Sequence, residues 1–246
     1  MSDERPFAEA VRDLPVLSAD IALGECSLLV IAPHPDDETL GCGGLLSWAS
    51  RRGRKIRVLF LTDGEASPPA SLTCPPQQLA RTRREEARAA AACLGLREEQ
   101  LAFLGLPDGA LETLDAMQTQ TALHRISGMA LDLSPVLTLV TAWTDPHADY
   151  QAAFRLVRRA LETVRGAQLR AYPVWSWLLE AGQFSGRLKG CRVDIAAHAH
   201  IKWQALEAYA SQHGRTAHEA STGTVAPKDL LSRANADYEV LLEPML

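Results

Sequence analysis

Five apolar segments with strand-like character alternate with helix-like segments along this chain, and this alternation limits the folds open to it. The first segment, SLLVIAP, is a continuous β-prone run of the kind found in strands covered on both faces. The next four are KIRVLFLTDGE, LAFLGLPDG, VLTLVTAW and LRAYPVW. Helix-like segments occupy residues 39–52, 77–94, 115–131 and 150–166. The pattern predicts an α/β fold, in which helices cover both faces of a mostly parallel sheet.

The strand–helix pattern becomes weaker after residue 178. There, CRVDI is a candidate strand, HAHIKWQALEAYASQ a candidate helix and DYEVLLEP a candidate closing strand. With 246 residues, of which 47% are hydrophobic, the chain can bury a full core. We expect one domain spanning residues 1–246.

Charge and hydropathy argue against two classes of partner. The formal net charge is -5, and Lys and Arg are scattered, so no basic surface for nucleic acid is predicted. The amino terminus has no basic segment followed by an apolar one, and no uncharged stretch approaches the roughly 18 residues of a membrane helix. We therefore expect a cytoplasmic protein without a transmembrane segment, and a homo-oligomer stays open.

Polar loops follow the predicted strands at their carboxyl ends, where functional residues of parallel sheets are found. PHPDDE follows the first strand, TDGEAS the second, LPDG the third and TDPHADY the fourth. We expect these loops to meet on one edge of the sheet and to bring their carboxylates and histidines into one site.

The loop PHPDDE has the residue types of a metal centre. His34 and Asp37 are three residues apart and can turn toward one point, and imidazole with carboxylate is a common ligand pair for zinc or iron(II). A cation would relieve the repulsion between Asp36 and Asp37 and leave Asp36 as a general base beside an activated water. In the fourth loop, His147 could approach from the opposite side, three residues before Tyr150.

A structural interpretation of the same loop is also open. Asp36 or Asp37 could cap the amino terminus of the following helix, where Glu38 would interact favourably with the helix dipole. The nearby glycines in GCGG do not match the dinucleotide-binding fingerprint, and close helix packing explains them better.

Six motifs taken together extend the argument. They are PHPDDE after a hydrophobic strand, TDGEAS, RREEARAAAACLG, FLGLPDG, DPHADYQAA and YASQ. In this order they resemble the LmbE/PIG-L family of metal-dependent de-N-acetylases, over roughly residues 27–212. The resemblance implies a Rossmann-like three-layer αβα sandwich that binds zinc, iron(II) or another divalent cation. It also implies removal of an acyl group, usually acetyl, from an amino sugar or a related small-molecule N-acyl amine.

The resemblance implies roles for individual residues by position. His34 and Asp37 match metal ligands, and Asp36 matches the general base. His147 matches the histidine that polarises the carbonyl oxygen or protonates the leaving amine. Arg83 matches a position that helps to hold the substrate.

One position departs from the family pattern. Tyr150 stands where the family has the second histidine of His-x-x-His, its third metal ligand. Three outcomes are open: Tyr150 coordinates as a phenolate, water or His147 fills the position, or the metal is lost and the protein only binds its ligand. Because His34, Asp36 and Asp37 are all present beside His147, we expect an active enzyme, with a ligand-binding module as the alternative.

Aromatic residues follow the fourth and fifth predicted strands, near the expected site. Trp143 is a candidate for substrate contact, and Trp175, Trp177 and Tyr172 lie in the same part of the pattern. Such residues stack on sugar faces or line acyl pockets, but they are as often part of the core.

Overall fold

The computed structural model describes residues 5–66, 75–184, 187–213, 230 and 234–244. Its strands are β1 (Val16–Ser18), β2 (Ser27–Ala32), β3 (Ile56–Thr62), β4 (Leu101–Leu106), β5 (Val136–Thr141), β6 (Gln168–Tyr172), β7 (Gly190–Asp194) and β8 (Tyr238–Leu242). Its α-helices are α1 (Phe7–Ala10), α2 (Ala19–Leu23), α3 (Asp37–Arg51), α4 (Pro76–Cys93), α5 (Ala116–Asp132), α6 (Ala148–Leu161), α7 (Ala199–Glu207) and α8 (Ala210–His213). None of the helices in these ranges is long and apolar enough to cross a membrane.

All of these strands belong to one sheet, in the order β1-β7-β8-β6-β5-β2-β3-β4. The strand pairs are parallel, except that β8 runs antiparallel to both β6 and β7. Helices α3, α4 and α7 contribute to the core on one face of the sheet, and α1, α5 and α6 to the core on the other. The predicted three-layer αβα fold with a mostly parallel sheet is confirmed.

Strand β2 lies in the middle of the sheet and sets the position of the site. Its side chains alternate between the two cores, with Leu28 and Val30 on the α3 side and Leu29 and Ile31 on the α6 side. The chain continues from β2 to β3 and β4 on one side and later adds β5 and β6 on the other. The strand order therefore reverses between β2 and β5, and a crevice forms at such a point beyond the carboxyl ends of the strands.

The glycines of GCGG allow helix α3 to pack closely on its neighbours, as predicted. A Cβ atom on Gly41 would lie 2.1 Å from the ring of Tyr172, and one on Gly44 would lie 2.7 Å from the side chain of Ile195. Larger residues at these two positions would push α3 away from β6 and from the segment after β7.

Several elements differ from the sequence prediction, and three of the differences have a clear physical reason. Strand β1 was not predicted, because it has only three residues and no buried apolar position. Helix α6 ends at Leu161 and not at Gly166, because the chain turns where the N–H of Val164 bonds the carbonyl of Leu161. The single helix predicted over residues 198–212 is divided into α7 and α8, with a turn at Tyr209.

Candidate active site

A cavity of about 400 Å³ opens at the carboxyl ends of the strands. Residues from the loops that follow β2 to β6 line it, so the predicted meeting of the polar loops is confirmed. Of the seven residues that the sequence nominated, the cavity lining includes six: His34, Asp36, Asp37, Arg83, His147 and Tyr150.

Carboxylates face both ring nitrogens of His34. Its Nε2 lies 2.9 Å from Oδ1 of Asp108 and 3.1 Å from Oδ2 of Asp149. Its Nδ1 faces Oδ2 of Asp37 at 3.4 Å, and its backbone N–H donates to the same oxygen. Burial alone would lower the pKa of His34, but the hydrogen bonds to these carboxylates outweigh burial and raise it well above its ordinary value. The imidazole is thus fixed in one orientation.

Tyr150, in the first turn of α6, lies against the other oxygen of Asp37. Its hydroxyl donates a short hydrogen bond to Oδ1 of Asp37 and accepts one of 3.1 Å from the indole Nε1 of Trp175. Burial and the negative charge of Asp37 raise the pKa of Tyr150 well above its usual range. The Tyr150 oxygen and the His34 Nδ1 therefore approach the Asp37 carboxylate from its two ends.

Asp36 stands in the N-cap position of α3, but its side chain makes no capping hydrogen bond. The capping interpretation thus does not hold for Asp36, whose carboxylate lines the cavity instead. Burial raises the pKa of Asp36 well above its usual range; the charge of Arg83 opposes this shift and that of Asp37 reinforces it. A carboxylate with a raised pKa is a stronger proton acceptor than an ordinary one.

His147 also lines the cavity, in the N-cap position of α6. Its Nδ1 accepts the backbone N–H of Asp149 at 3.1 Å, so the neutral ring carries its proton on Nε2. The centroid of its ring is 5.2 Å from that of His34 and 4.9 Å from that of Tyr150. The rings of His34, Tyr150 and His147 therefore pack against one another at the cavity.

Arg83 projects from α4 and is only 2% exposed. Its two terminal nitrogens donate to the carbonyls of Gly64, at 2.9 Å, and Pro35, at 2.7 Å, and one of them lies 3.5 Å from Oδ1 of Asp36. Gly64 is required there, because a Cβ atom would lie 1.9 Å from the guanidinium and its φ is +71°. Arg83 thus joins the loops after β2 and β3 at the cavity wall.

Trp143 does not line the cavity. Its ring packs on Phe154, with centroids 5.2 Å apart, at the edge of the core beneath α5 and α6. Trp175, after β6, faces the cavity instead. The sequence pattern places both tryptophans after strands and could not show which one turns inward.

Two carboxylates that support the site, Asp108 and Asp149, were not nominated from the sequence. Asp149 accepts backbone N–H groups from Gly109 and Leu111 as well as facing His34. Burial would raise the pKa of Asp108, but its hydrogen bond with His34, the charge of that imidazole and the N–H of Ala66 together outweigh burial and lower the pKa to about 2. Both residues lie in loops that were predicted to converge, and this position was the only feature of the sequence that could have nominated them.

The first comparison with known proteins concerns the sequence. Residues 29–161, more than half of the chain, match the family described as PIG-L, GlcNAc-PI de-N-acetylase. The chain belongs to this family. The match extends from β2 to the end of α6 and includes all six nominated residues that line the cavity. The resemblance inferred from the motifs is confirmed.

Solved structures share the fold of this PIG-L family chain. The conserved protein TT1542 from Thermus thermophilus is 27% identical, with a TM-score of 0.64 over 89% of this chain and 95% of that one. The N,N'-diacetylchitobiose deacetylase from Pyrococcus horikoshii is 20% identical, with a TM-score of 0.56 over 84% and 72%. The zinc-inhibited form of the teicoplanin deacetylase Orf2 is 17% identical, with a TM-score of 0.64 over 88% and 96%.

Two sets of donor atoms in this PIG-L family chain share His34. One set, His34 with Asp108 and Asp149, has ligand atoms within 4.8 Å of one another and could hold a metal ion. The other set is Nδ1 of His34 with the oxygens of Asp37 and Tyr150. Asp108 and Asp149 also accept backbone N–H groups, and they face Nε2, so they orient the imidazole as outer carboxylates do in metal sites. The donors around Nδ1, one nitrogen and two oxygens, are of types that zinc and iron(II) accept, and they form a second candidate set.

A fully buried carboxylate, Asp145, fastens the turn that carries Trp175. It accepts the backbone N–H of Val174 at 3.3 Å, and the N–H and hydroxyl of Ser176 at 2.5 and 2.6 Å. Burial raises the pKa of Asp145 from 3.8 to about 7, because these donors only partly replace water.

We expect Asp145→Asn to change the pH dependence of stability. Because the folded pKa lies above the unfolded one, the contribution of Asp145 is fully present below about pH 4 and is lost as pH rises toward 7. Asn stays neutral, so the stability of the variant relative to wild type should improve by about 3 kcal/mol between pH 5 and 8, at roughly 1.4 kcal/mol per pKa unit over about two units. Urea unfolding across this range measures it. A pH-independent difference would show that Asp145 does not titrate there.

Proposed function

We propose that this protein is a metal-dependent N-deacetylase, with zinc as the first candidate cation, that acts on an N-acyl amino sugar or a related small N-acyl amine. Membership of the PIG-L family supports de-N-acetylation. The observation that carries the proposal is that a carboxylate with a raised pKa, a histidine and a set of metal donors surround one cavity.

His34, Asp37 and Tyr150 are the residues that would hold the cation. When bound there, a divalent cation supplies Lewis acidity to the acyl carbonyl and lowers the pKa of water. The support for this set is that Nδ1 of His34 faces Asp37 at 3.4 Å while Nε2 is held by other carboxylates. Zinc and iron(II) both accept such nitrogen and oxygen donors.

Asp36 acts as the general base in this proposal. Its carboxylate accepts the proton of the attacking water, and its raised pKa makes it a stronger proton acceptor than an ordinary carboxylate. The same carboxyl group can then return the proton to the leaving amine. Arg83, 3.5 Å from Oδ1 of Asp36, limits the movement of this carboxylate and contributes positive charge at the wall where substrate binds.

His147 stabilises negative charge on the acyl oxygen. Its Nδ1 accepts the N–H of Asp149, so its Nε2 holds a proton and can donate a hydrogen bond to that oxygen as charge develops. Fixed donors of this kind are most effective in a site from which water is largely excluded.

The shape and lining of the cavity favour a small substrate with a sugar ring. A volume of about 400 Å³ is at the lower end of the range of small-molecule sites. Trp175 and Leu40 offer apolar surface, on which a sugar face or an acyl methyl can pack. The Pyrococcus horikoshii relative is named for an N-acetylated amino sugar, N,N'-diacetylchitobiose, which supports the same class here.

The substrate class is tested by measuring amine release from a panel of N-acetyl compounds. We expect the zinc-loaded protein to release free amine from N-acetylglucosamine or its short oligomers faster than from N-acetyl amino acids. If N-acetyl amino acids are the better substrates, the protein is an amidase of another class. If the protein binds N-acetyl sugars in calorimetry but releases no amine from them, it is a ligand-binding module.

A further inference from the structure

Glu38, the last residue of the PHPDDE motif, is buried behind the cavity and is 3% exposed. Its carboxylate accepts three hydrogen bonds. The backbone N–H of Asp36 donates to Oε2 at 3.1 Å, and the hydroxyls of Thr39 and Tyr209 each donate to Oε1 at 2.5 Å. Glu38 therefore connects the backbone of Asp36 to a tyrosine far along the chain.

Asp36 has a backbone conformation that requires support. Its φ is 110° and its ψ is -28°, and it is the only non-glycine residue with a positive φ in the described ranges. Residues other than glycine rarely adopt this backbone conformation. It persists only where surrounding contacts hold the residue in place. The Glu38 carboxylate provides such a contact, because it binds the N–H of Asp36 itself.

Tyr209 belongs to YASQ, a motif that no step of the proposed reaction uses. It is fully buried between α7 and α8. The next part of the motif is fixed as well, because the N–H and hydroxyl of Ser211 donate to Glu86 at 2.8 and 2.6 Å. Glu86 lies on α4, one turn from Arg83. The motif is thus fastened to both α3 and α4.

We propose that Tyr209 is a positioning residue, which acts through Glu38 to hold the Asp36 backbone so that its carboxylate points into the cavity. Without the Tyr209 hydroxyl, Oε1 of Glu38 loses one of its two donors in a buried site, and the carboxylate shifts to recover one. The Asp36 N–H then loses its acceptor. This inference rests on the proposed function, in which Asp36 is the general base.

Tyr172 provides a matched control. It is also fully buried, and its hydroxyl donates at 2.8 Å to the carbonyl of Ile31, but it makes no described hydrogen bond with Glu38 or Asp36. Tyr209→Phe and Tyr172→Phe each delete one buried hydroxyl and its hydrogen bond. A purely structural role would give the two variants the same behaviour.

The test compares these variants by NMR of protein labelled with [15N]aspartate and by amine release from N-acetylglucosamine. In Tyr209→Phe we expect the Asp36 amide resonance to move upfield and its hydrogen exchange to accelerate about tenfold. We also expect kcat to fall about tenfold while KM changes less than twofold. Tyr172→Phe should leave the Asp36 amide and kcat unchanged.

An Asp36 amide that is the same in Tyr209→Phe as in wild type would overturn the proposal, and this measurement needs no substrate. A shared loss of kcat in both tyrosine variants would also overturn it. Asp36→Asn separates this inference from the proposed function. If Asp36→Asn keeps full activity, the proposed function is wrong, whereas an inactive Asp36→Asn beside a fully active Tyr209→Phe contradicts only the positioning role.

Discussion

Replacing Asp36 by Asn is expected to lower kcat by about 10²-fold or more, the scale of a general base. Asn keeps the size of the side chain but cannot accept the proton of water. Because Asp36 is not in the proposed ligand set, metal content should stay that of wild type. Amine release under saturating substrate, with elemental analysis of the same sample, measures both quantities.

Asp115→Asn is the control for this experiment. Asp115 is also an N-cap residue, at the start of α5, where its side chain accepts the N–H of Gln118 and where Asn caps equally well. The control should keep kcat within about twofold. Full activity in Asp36→Asn would exclude Asp36 as the base, and a loss of metal in that variant would show that Asp36 is a ligand.

Tyr150→His is expected to raise the affinity for zinc by about tenfold or more at pH 7. The wild-type phenol must give up a proton whose reference pKa is near 10 before it binds the cation, while a neutral imidazole needs no such step. In the folded protein, burial and Asp37 raise the pKa of Tyr150 further. Competition with a chromogenic chelator measures the dissociation constant of each variant.

Tyr150→Phe shows what the phenol oxygen contributes in the wild-type protein. If Tyr150 is a ligand, this variant should bind zinc more weakly than wild type. If zinc binds equally well to wild type and to Tyr150→Phe, the phenol is not a ligand and water or His147 completes the site. A Tyr150→His variant that binds zinc no better than wild type would contradict the proposed ligand set. The metal site would then be the set of His34 with Asp108 and Asp149.

The core of the fold follows directly from the sequence, because β2 to β6 are long apolar runs separated by helices. Strands β2 to β5 each end in a polar loop, which is a strong signal. Strand β1 gave no such signal, since none of its residues is buried and it forms by pairing with β7, 176 positions away in its register of Val16 with Arg192. Short strands of this kind form only because a neighbouring edge is available.

The sequence predicted the location of the candidate site, but it did not predict the contacts within the site. The polar loops after four strands predicted where His34, Asp36 and His147 meet. The sequence could not predict that the Tyr150 hydroxyl donates to Asp37, 113 residues earlier, or that Tyr209 donates to Glu38, 171 residues earlier. Such contacts depend on how helices pack on the sheet, and the same limit left Trp143 and Trp175 indistinguishable.

The most direct test of the proposed function is whether amine release depends on a bound metal. The protein is stripped with a chelator, its metal content is measured, and release of amine from N-acetylglucosamine is followed as zinc or iron(II) is added back. We predict that the stripped protein is inactive and that about one equivalent of one of these cations restores activity, as expected for a single catalytic metal. Undiminished amine release by the metal-free protein would contradict the proposal.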